Sequence, residues 1–329
     1  MVSRSILSLW TLRLQFDGAV YHKKQDLTPK IHPARLRLAA VLAVYAFVSS
    51  PAIDAQGAAT PLSVEGGVRA LGLGQAYCAI AEDSQTIYFN PAGLGNLSAF
   101  QISGMGSPQK FGQTSWSMEF GIPFKEVGGF GFGTTGLQIR NITTRDLEFD
   151  LPQTASSLEG ALLLGYGHKL RKNLSIGLTG KYIYHRFFGF SDHASGYALN
   201  LGLHYRPHRL NKLSLGVVGQ NLLGKLLWST GRQDSLSFVG RVGVSYNFFP
   251  WLLAAAETEL GNSRIRGHGG IELRYDRLIV RGGANHNQPT AGFGIVIPLS
   301  GRKLQFDYAA ALEFTELNDV HRFGLSFSF

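Results

Sequence analysis

Few residues in this chain are spaced for chemistry. Ten histidines occur without an HExxH pair, and the single cysteine, Cys78, has no CxxC or Cys/His partner. Neither a metal site nor an internal disulfide is therefore expected. Asp192 and His193 are adjacent, with Ser191 and Ser195 close by, which are the residue types of a hydrolase triad. Adjacent residues on a strand or loop point in different directions, so the grouping does not build one. No catalytic residue, cofactor or enzyme activity is expected. The glycine-rich GGFGFGTTG at 128–136 lacks the lysine and the following helix of a phosphate loop. It reads instead as a strand that passes close to an internal plug.

The charges that do look organised lie in the second half. Mirroring the chain about Phe249–Pro250 sets Arg241 opposite Glu257 and Glu259, and mirroring about Asp276–Arg277 sets Glu272 opposite Arg281. Such cross-strand pairs contribute roughly 0.2–1 kcal/mol each. Two readings follow: a polar wall of a passage or docking site, or a ladder that neutralises a plugged lumen. Leu222, Leu223, Leu226, Leu227 and Trp228 form an apolar patch in an expected outer connection. It would pack over a barrel mouth or receive a hydrophobic ligand or partner.

These residues need elements to hold them, and the pattern along the chain is of period two. In 174–185, Leu174, Ile176, Leu178, Tyr182 and Tyr184 oppose Ser175, Thr179, Lys181 and His185; in 304–312, Leu304, Phe306, Tyr308 and Leu312 oppose Gln305 and Asp307. The last segment sets Phe323, Leu325, Phe327 and Phe329 against Arg322, Ser326 and Ser328. Fourteen such segments are predicted: 98–105, 113–124, 127–140, 156–169, 173–187, 192–206, 212–223, 237–249, 250–261, 266–276, 277–287, 290–299, 302–312 and 319–329. Most run about ten residues, the length of a tilted membrane strand. Tight turns alternate with longer links such as 141–155 and 224–236, the rhythm of an outer-membrane barrel. The polar side is small and rich in Gly and Ser, as a lumen would be, whereas a soluble sandwich would be polar on its outward face. The fold class is therefore all-β, a transmembrane antiparallel β-barrel of about fourteen strands.

Only 16% of the residues are charged, below the roughly 25% of a soluble domain. Residues 1–55 hold seven Lys/Arg and three Asp/Glu of a chain whose net charge is +9, leaving 24 and 19 for the rest. Those 24 form no basic stripe, so nucleic acid is not an expected partner. Arg35 and Arg37 precede the apolar run Leu38–Val48, which is too short to span a bilayer as a helix. It suits the core of a signal peptide cleaved near Ala52 or Ala55, and residues 1–55 are read as a leader for export to the outer membrane.

The stretch 66–95, GGVRALGLGQAYCAIAEDSQTIYFNPAGLG, resembles the N-terminal signature of the PorV/PorQ family, within the wider group of barrels similar to the long-chain fatty-acid transporter FadL. The likeness rests on the glycines around Arg69–Gly74, the small residues Ala76–Ala81, Glu82 and Asp83, the motif Asn90-Pro91-Ala92-Gly93, and the ending DVHRFGLSFSF. The resemblance implies that residues 56–97 fold into the lumen as a hatch inside a barrel formed by 98–329. It further implies an accessory role in type IX protein secretion or surface attachment, with secretion-system proteins or secreted cargo as partners. The alternative role is a FadL-like channel for hydrophobic small molecules. Outer-membrane lipid is a partner in either case.

Overall fold

A computed structural model of the chain describes residues 66–124, 127–145, 152–188, 193–261, 264–286, 288–312 and 319–329. The leader with its apolar run, and Ser191 and Asp192, lie outside the described residues. Fourteen antiparallel strands close into one barrel: β1 (Gln101–Pro108), β2 (Gln113–Phe124), β3 (Gly128–Arg145), β4 (Pro152–Arg171), β5 (Leu174–Phe188), β6 (His193–Tyr205), β7 (Leu213–Trp228), β9 (Val239–Phe249), β10 (Leu252–Gly261), β11 (Arg264–Tyr275), β12 (Leu278–Ala284), β13 (Pro289–Leu299), β14 (Arg302–Ala311) and β15 (Val320–Ser328). A three-residue strand, β8 (Gln233–Ser235), pairs with the end of β7. Each strand bonds its sequence neighbours, and β1 pairs β15 to complete the circle. Closure leaves the fourteen-strand wall without a free edge strand, which a spanning sheet in lipid requires.

The alternation seen in sequence is the in–out alternation of the wall. On β5, Ser175, Thr179, Ile183 and His185 are buried inward while Ile176, Leu178 and Tyr182 are exposed outward. The same holds on β15, where Phe323, Leu325 and Phe329 are about half exposed and Arg322 is buried. The outer face is thus a continuous apolar band, a surface suited to hydrocarbon rather than water.

Three strands, β3, β4 and β7, run well past their predicted bounds, β7 through Trp228. β3 and β4 extend through Arg145 and from Pro152, so most of the link expected at 141–155 is strand. The register slips by one residue near Asn141, whose positive φ of 59° marks a bulge and hides the alternation there. β12 is shorter than expected, and β1 starts three residues late. The remaining boundaries differ by a few residues at most. Two-residue turns join strands at one end, at 172–173, 250–251, 276–277 and 300–301, and most connections at the other end are longer, 262–263 being the short one.

Arginine in the apolar band should cost by depth. Leu178→Arg, mid-band, should destabilise the barrel by roughly 2–4 kcal/mol, and Tyr205→Arg, at the strand end, by about 0–1 kcal/mol, measured by denaturant unfolding from lipid vesicles. Equal costs at the two sites would refute the assignment of the band.

Candidate functional site

Residues 66–97 lie against the inner face of the wall as two short helices, α1 (Val68–Gly72) and α2 (Thr86–Phe89), followed by a 3-10 turn at Pro91–Asn96. Nearly all of them are buried. The segment is rich in small residues and has no long apolar stripe, so it cannot form a long helix and leaves many backbone groups without local partners. The wall supplies those partners around its circumference. Arg322 on β15 donates to the carbonyl of Gly67, Gln220 on β7 to that of Tyr88, and Ser245 on β9 to that of Ala79. His204 and His268 make ring-nitrogen hydrogen bonds to the carbonyls of Ala79 and Gly74.

The wall makes room for this backbone by presenting glycine. A Cβ on Gly131 would meet Leu94 Cδ2 at 2.7 Å, and one on Gly270 would meet the backbone of Leu73 at 2.6–2.7 Å. Gly177 faces Pro91 and Gly216 faces Cys78 in the same way. Gly129, Gly131 and Gly133 lie against Leu94 and Ile87 of the inner segment, as expected of a strand that passes close to a plug.

The Asn90-Pro91-Ala92-Gly93 motif is the dock for one side of this segment. Asn90 Nδ2 donates to the carbonyls of Cys78 (2.7 Å) and Leu203 (3.1 Å), while its Oδ1 accepts from the Ala92 N–H and caps the 3-10 turn. Pro91 starts that turn, where its missing N–H costs nothing. All four residues are buried.

The charge ladder is present and reaches further than the cross-strand mirror implies. Arg281 Nε lies 2.7 Å from Glu272, its register partner, and Arg241 lies 3.0 Å from Glu257 and 2.7 Å from Glu259. Arg69 on α1 donates to Glu272 at 2.9 Å and also reaches Glu82 and Asp83 at 2.9 Å each. Asp83 is hydrogen-bonded by Tyr77 as well. Glu257 accepts the N–H groups of both Tyr77 and Cys78 at 2.8 Å. Each main rung therefore grips the inner segment as well as the wall. Sequence mirroring missed Arg69, Asp307 (which pairs Arg281 at 2.6 Å), Arg274 on Glu272 at 2.6 Å and Arg266 on Glu259 at 2.9 Å. The available signal was Arg69 itself, a lone cation in a small-residue run.

Burial sets the electrostatics of the inner segment. Desolvation alone would raise the Glu82 carboxyl, yet the guanidiniums of Arg69 and Arg274 hold it below its ordinary value. Burial pushes the Tyr77 hydroxyl well up, with Arg69 opposing, and pushes the Cys78 thiol well up, helped by Glu257. Among the described residues no group of three His, Cys, Asp or Glu is placed to hold a metal ion. His193 is exposed at the start of β6.

The apolar patch is not in a loop. β7 continues through Trp228, paired with β6, and carries two extra residues relative to its partner, between Gly219 and Leu222 and between Leu222 and Lys225. Asn221 (φ 58°) and Leu223 (φ 54°) sit in the left-handed region and are the two bulged residues. Discounting them restores in–out alternation, with Val218, Gln220, Gly224 and Leu226 buried. Asn221 and Gly224 mimic a turn in sequence, and the bulges sort the five residues of the patch to different faces. Leu226 is buried inward with Leu163, Ala198 and Leu236, whereas Leu223 is 77% exposed outside. Outside the same wall lies an apolar groove of about 430 Å³, lined by residues that include Phe132, Leu162, Leu164, Tyr182, Tyr197 and Leu223. Leu163, Lys181 and Ala198 reach it from the wall itself.

No protein-family model and no curated protein matches the sequence. Solved structures do. The chain is similar to the toluene transporter TbuX of Ralstonia pickettii (TM-score 0.55, 13% identity, 81% of this chain and 98% of that one). It is similar to the toluene transporter TodX of Pseudomonas putida (TM-score 0.53, 11% identity, 82% and 99%) and to a Pseudomonas aeruginosa FadL homologue (TM-score 0.53, 9% identity, 80% and 98%). The chain thus has the FadL-like barrel fold. The finer likeness to PorV/PorQ proteins has no counterpart among these matches.

Glu272 is fully buried among three guanidiniums, so its loss should be costly. Glu272→Gln should destabilise the inner segment by about 3 kcal/mol. The buried Cys78 then reports the opening: its maleimide labelling should rise on the order of 100-fold. Gly177→Val should raise it too, by displacing Pro91. Unchanged labelling in both would show that the segment is not held by these contacts. For Glu82, a lowered folded pKa means its contribution is full above the ordinary carboxylate value and lost as pH falls through the lower one. The difference in urea midpoint between wild type and Glu82→Gln should accordingly be present at pH 7 and vanish on acidification; a difference that grows in acid would reverse the assignment.

Proposed function

We propose that the chain is an outer-membrane channel for hydrophobic small molecules, closed toward the short-turn side by residues 66–97 acting as a hatch. The observation that carries this reading is the double bulge in β7. There Leu226 joins an apolar corner inside the lumen, while the bulged Leu223 borders an apolar groove outside, over β3 to β6. With the hatch docked around the full circumference, an axial path is blocked. An apolar solute entering from the long-loop end has its favourable exit sideways, into lipid. A groove of about 430 Å³ falls within the usual range for small-molecule sites, roughly 300–1,000 Å³. The names of the solved structures similar in fold, two of them toluene transporters, support the same substrate class. They favour this role over the secretion accessory that the hatch motif's resemblance implies.

The short turns would then face the periplasm, with the end of β15 on that side. Accumulation of radiolabelled toluene by cells with an intact outer membrane should rise when they express the full chain. Deleting Asn221 and Leu223 together restores a regular β6–β7 ladder, and it should abolish that gain while the folded barrel persists on heat-modifiable gels. Uptake unchanged by expression would sink the channel reading, and uptake unchanged by the deletion would sink the lateral route.

A further inference from the structure

Exposed cations gather at the short-turn end of the barrel. At the short-turn end, Arg171 ends β4 and Lys172 follows it, Arg209 follows β6, Arg277 follows β11, and Arg302 and Lys303 open β14; all are exposed. Among the described residues of these turns one acid, Asp276, answers them. Among the described residues, Arg171, Lys172, Arg209, Arg277 and Lys303 take part in none of the ion pairs of the lumen or the wall.

Aromatic rings adjoin the basic rim on the outer wall. Phe249 and Trp251 stack with centroids 5.0 Å apart, Trp251 is 51% exposed, and Tyr275 is 83% exposed beside Arg277. The Arg302 guanidinium lies 5.0 Å over the Phe329 ring. Rings of this kind settle at the headgroup level of a bilayer, which sets the adjoining cations among the phosphates. Anionic headgroups attract such cations through their surface potential.

We infer that this rim is a binding surface for the headgroups of anionic phospholipid in the leaflet that meets the short-turn end. The placement of the cations selects lipid over a soluble acidic protein. They occur on turns spread from β4 to β14, around the barrel and continuous with its aromatic band, rather than gathered on one face where a single globular partner would dock. The rim stands whatever solute the lumen carries.

The test uses the full chain in phosphatidylcholine vesicles with trace spin-labelled lipid, reading the motionally restricted fraction at the protein surface. Spin-labelled phosphatidylglycerol should associate about threefold more strongly than spin-labelled phosphatidylcholine at low salt. The preference should fall toward one at about 1 M NaCl, where the screening length is about 3 Å. Replacing Arg171, Lys172, Arg209 and Arg277 by Gln should also bring it toward one. Lys225→Gln with Arg232→Gln, at the opposite end, should leave it unchanged. Equal association of the two lipids with the wild-type chain overturns the proposal without reference to any variant. An equal loss in the opposite-end variant overturns it too, because the charge would then be acting from no particular place.

Discussion

A charge taken out of water must find its opposite, and in this molecule that requirement joins the wall to what it encloses. Glu272 is fully buried, with Arg69, Arg274 and Arg281 within 2.9 Å of its oxygens. None of these groups is tolerable alone, since breaking one buried pair costs about 3–5 kcal/mol. The register of β11 on β12, the depth of α1 in the lumen and the approach of Glu82 and Asp83 are therefore fixed together. Arg241, Glu257 and Glu259 do the same on β9 and β10, where Glu257 also receives two backbone N–H groups from the inner segment. The ladder neutralises the lumen, and in doing so it fastens the inner segment 66–97 to the wall.

The second constraint is steric. A backbone-rich hatch needs a wall it can lie flush against, and the inward positions of β3, β5, β7 and β11 supply glycine where Leu94, Pro91, Cys78 and Leu73 press closest. Glycine weakens strands by removing side-chain packing. Here closure of the barrel and the hydrogen bonds from the wall to the hatch carbonyls compensate. A lumen packed this way leaves little space along the axis. The interrupted ladder of β7 is consequently where the fold is least like a regular barrel, and where apolar surface is present on both sides of one strand.

Bulges and hatch act on the radial direction, while the surface charge acts on the axial one. Apolar side chains band the middle of the wall, aromatic rings stand near the short turns, and exposed cations lie beyond them. Each layer matches a depth in a bilayer, from hydrocarbon to interface to headgroup.

Much of this was legible in the sequence because a strand's side chains alternate with period two. Alternation gave the fourteen segments and their inward sides, and reflection through tight turns gave Arg241 with Glu257 and Glu259, and Glu272 with Arg281. The motif Asn90-Pro91-Ala92-Gly93 announced a turn. What alternation does not carry is any contact between segments that are not neighbours in the sheet. The grip of Arg69 on Glu272 spans 203 residues of sequence, and only closure of the barrel around the hatch brings them together. The leucines at 222–227 look like a loop because two extra residues break the period. Only pairing with β6 shows that Asn221 and Leu223 are bulges and that Leu226 and Leu223 lie on opposite sides of the wall. Local pattern determined which residues face inward; the closed circle decided what they meet there.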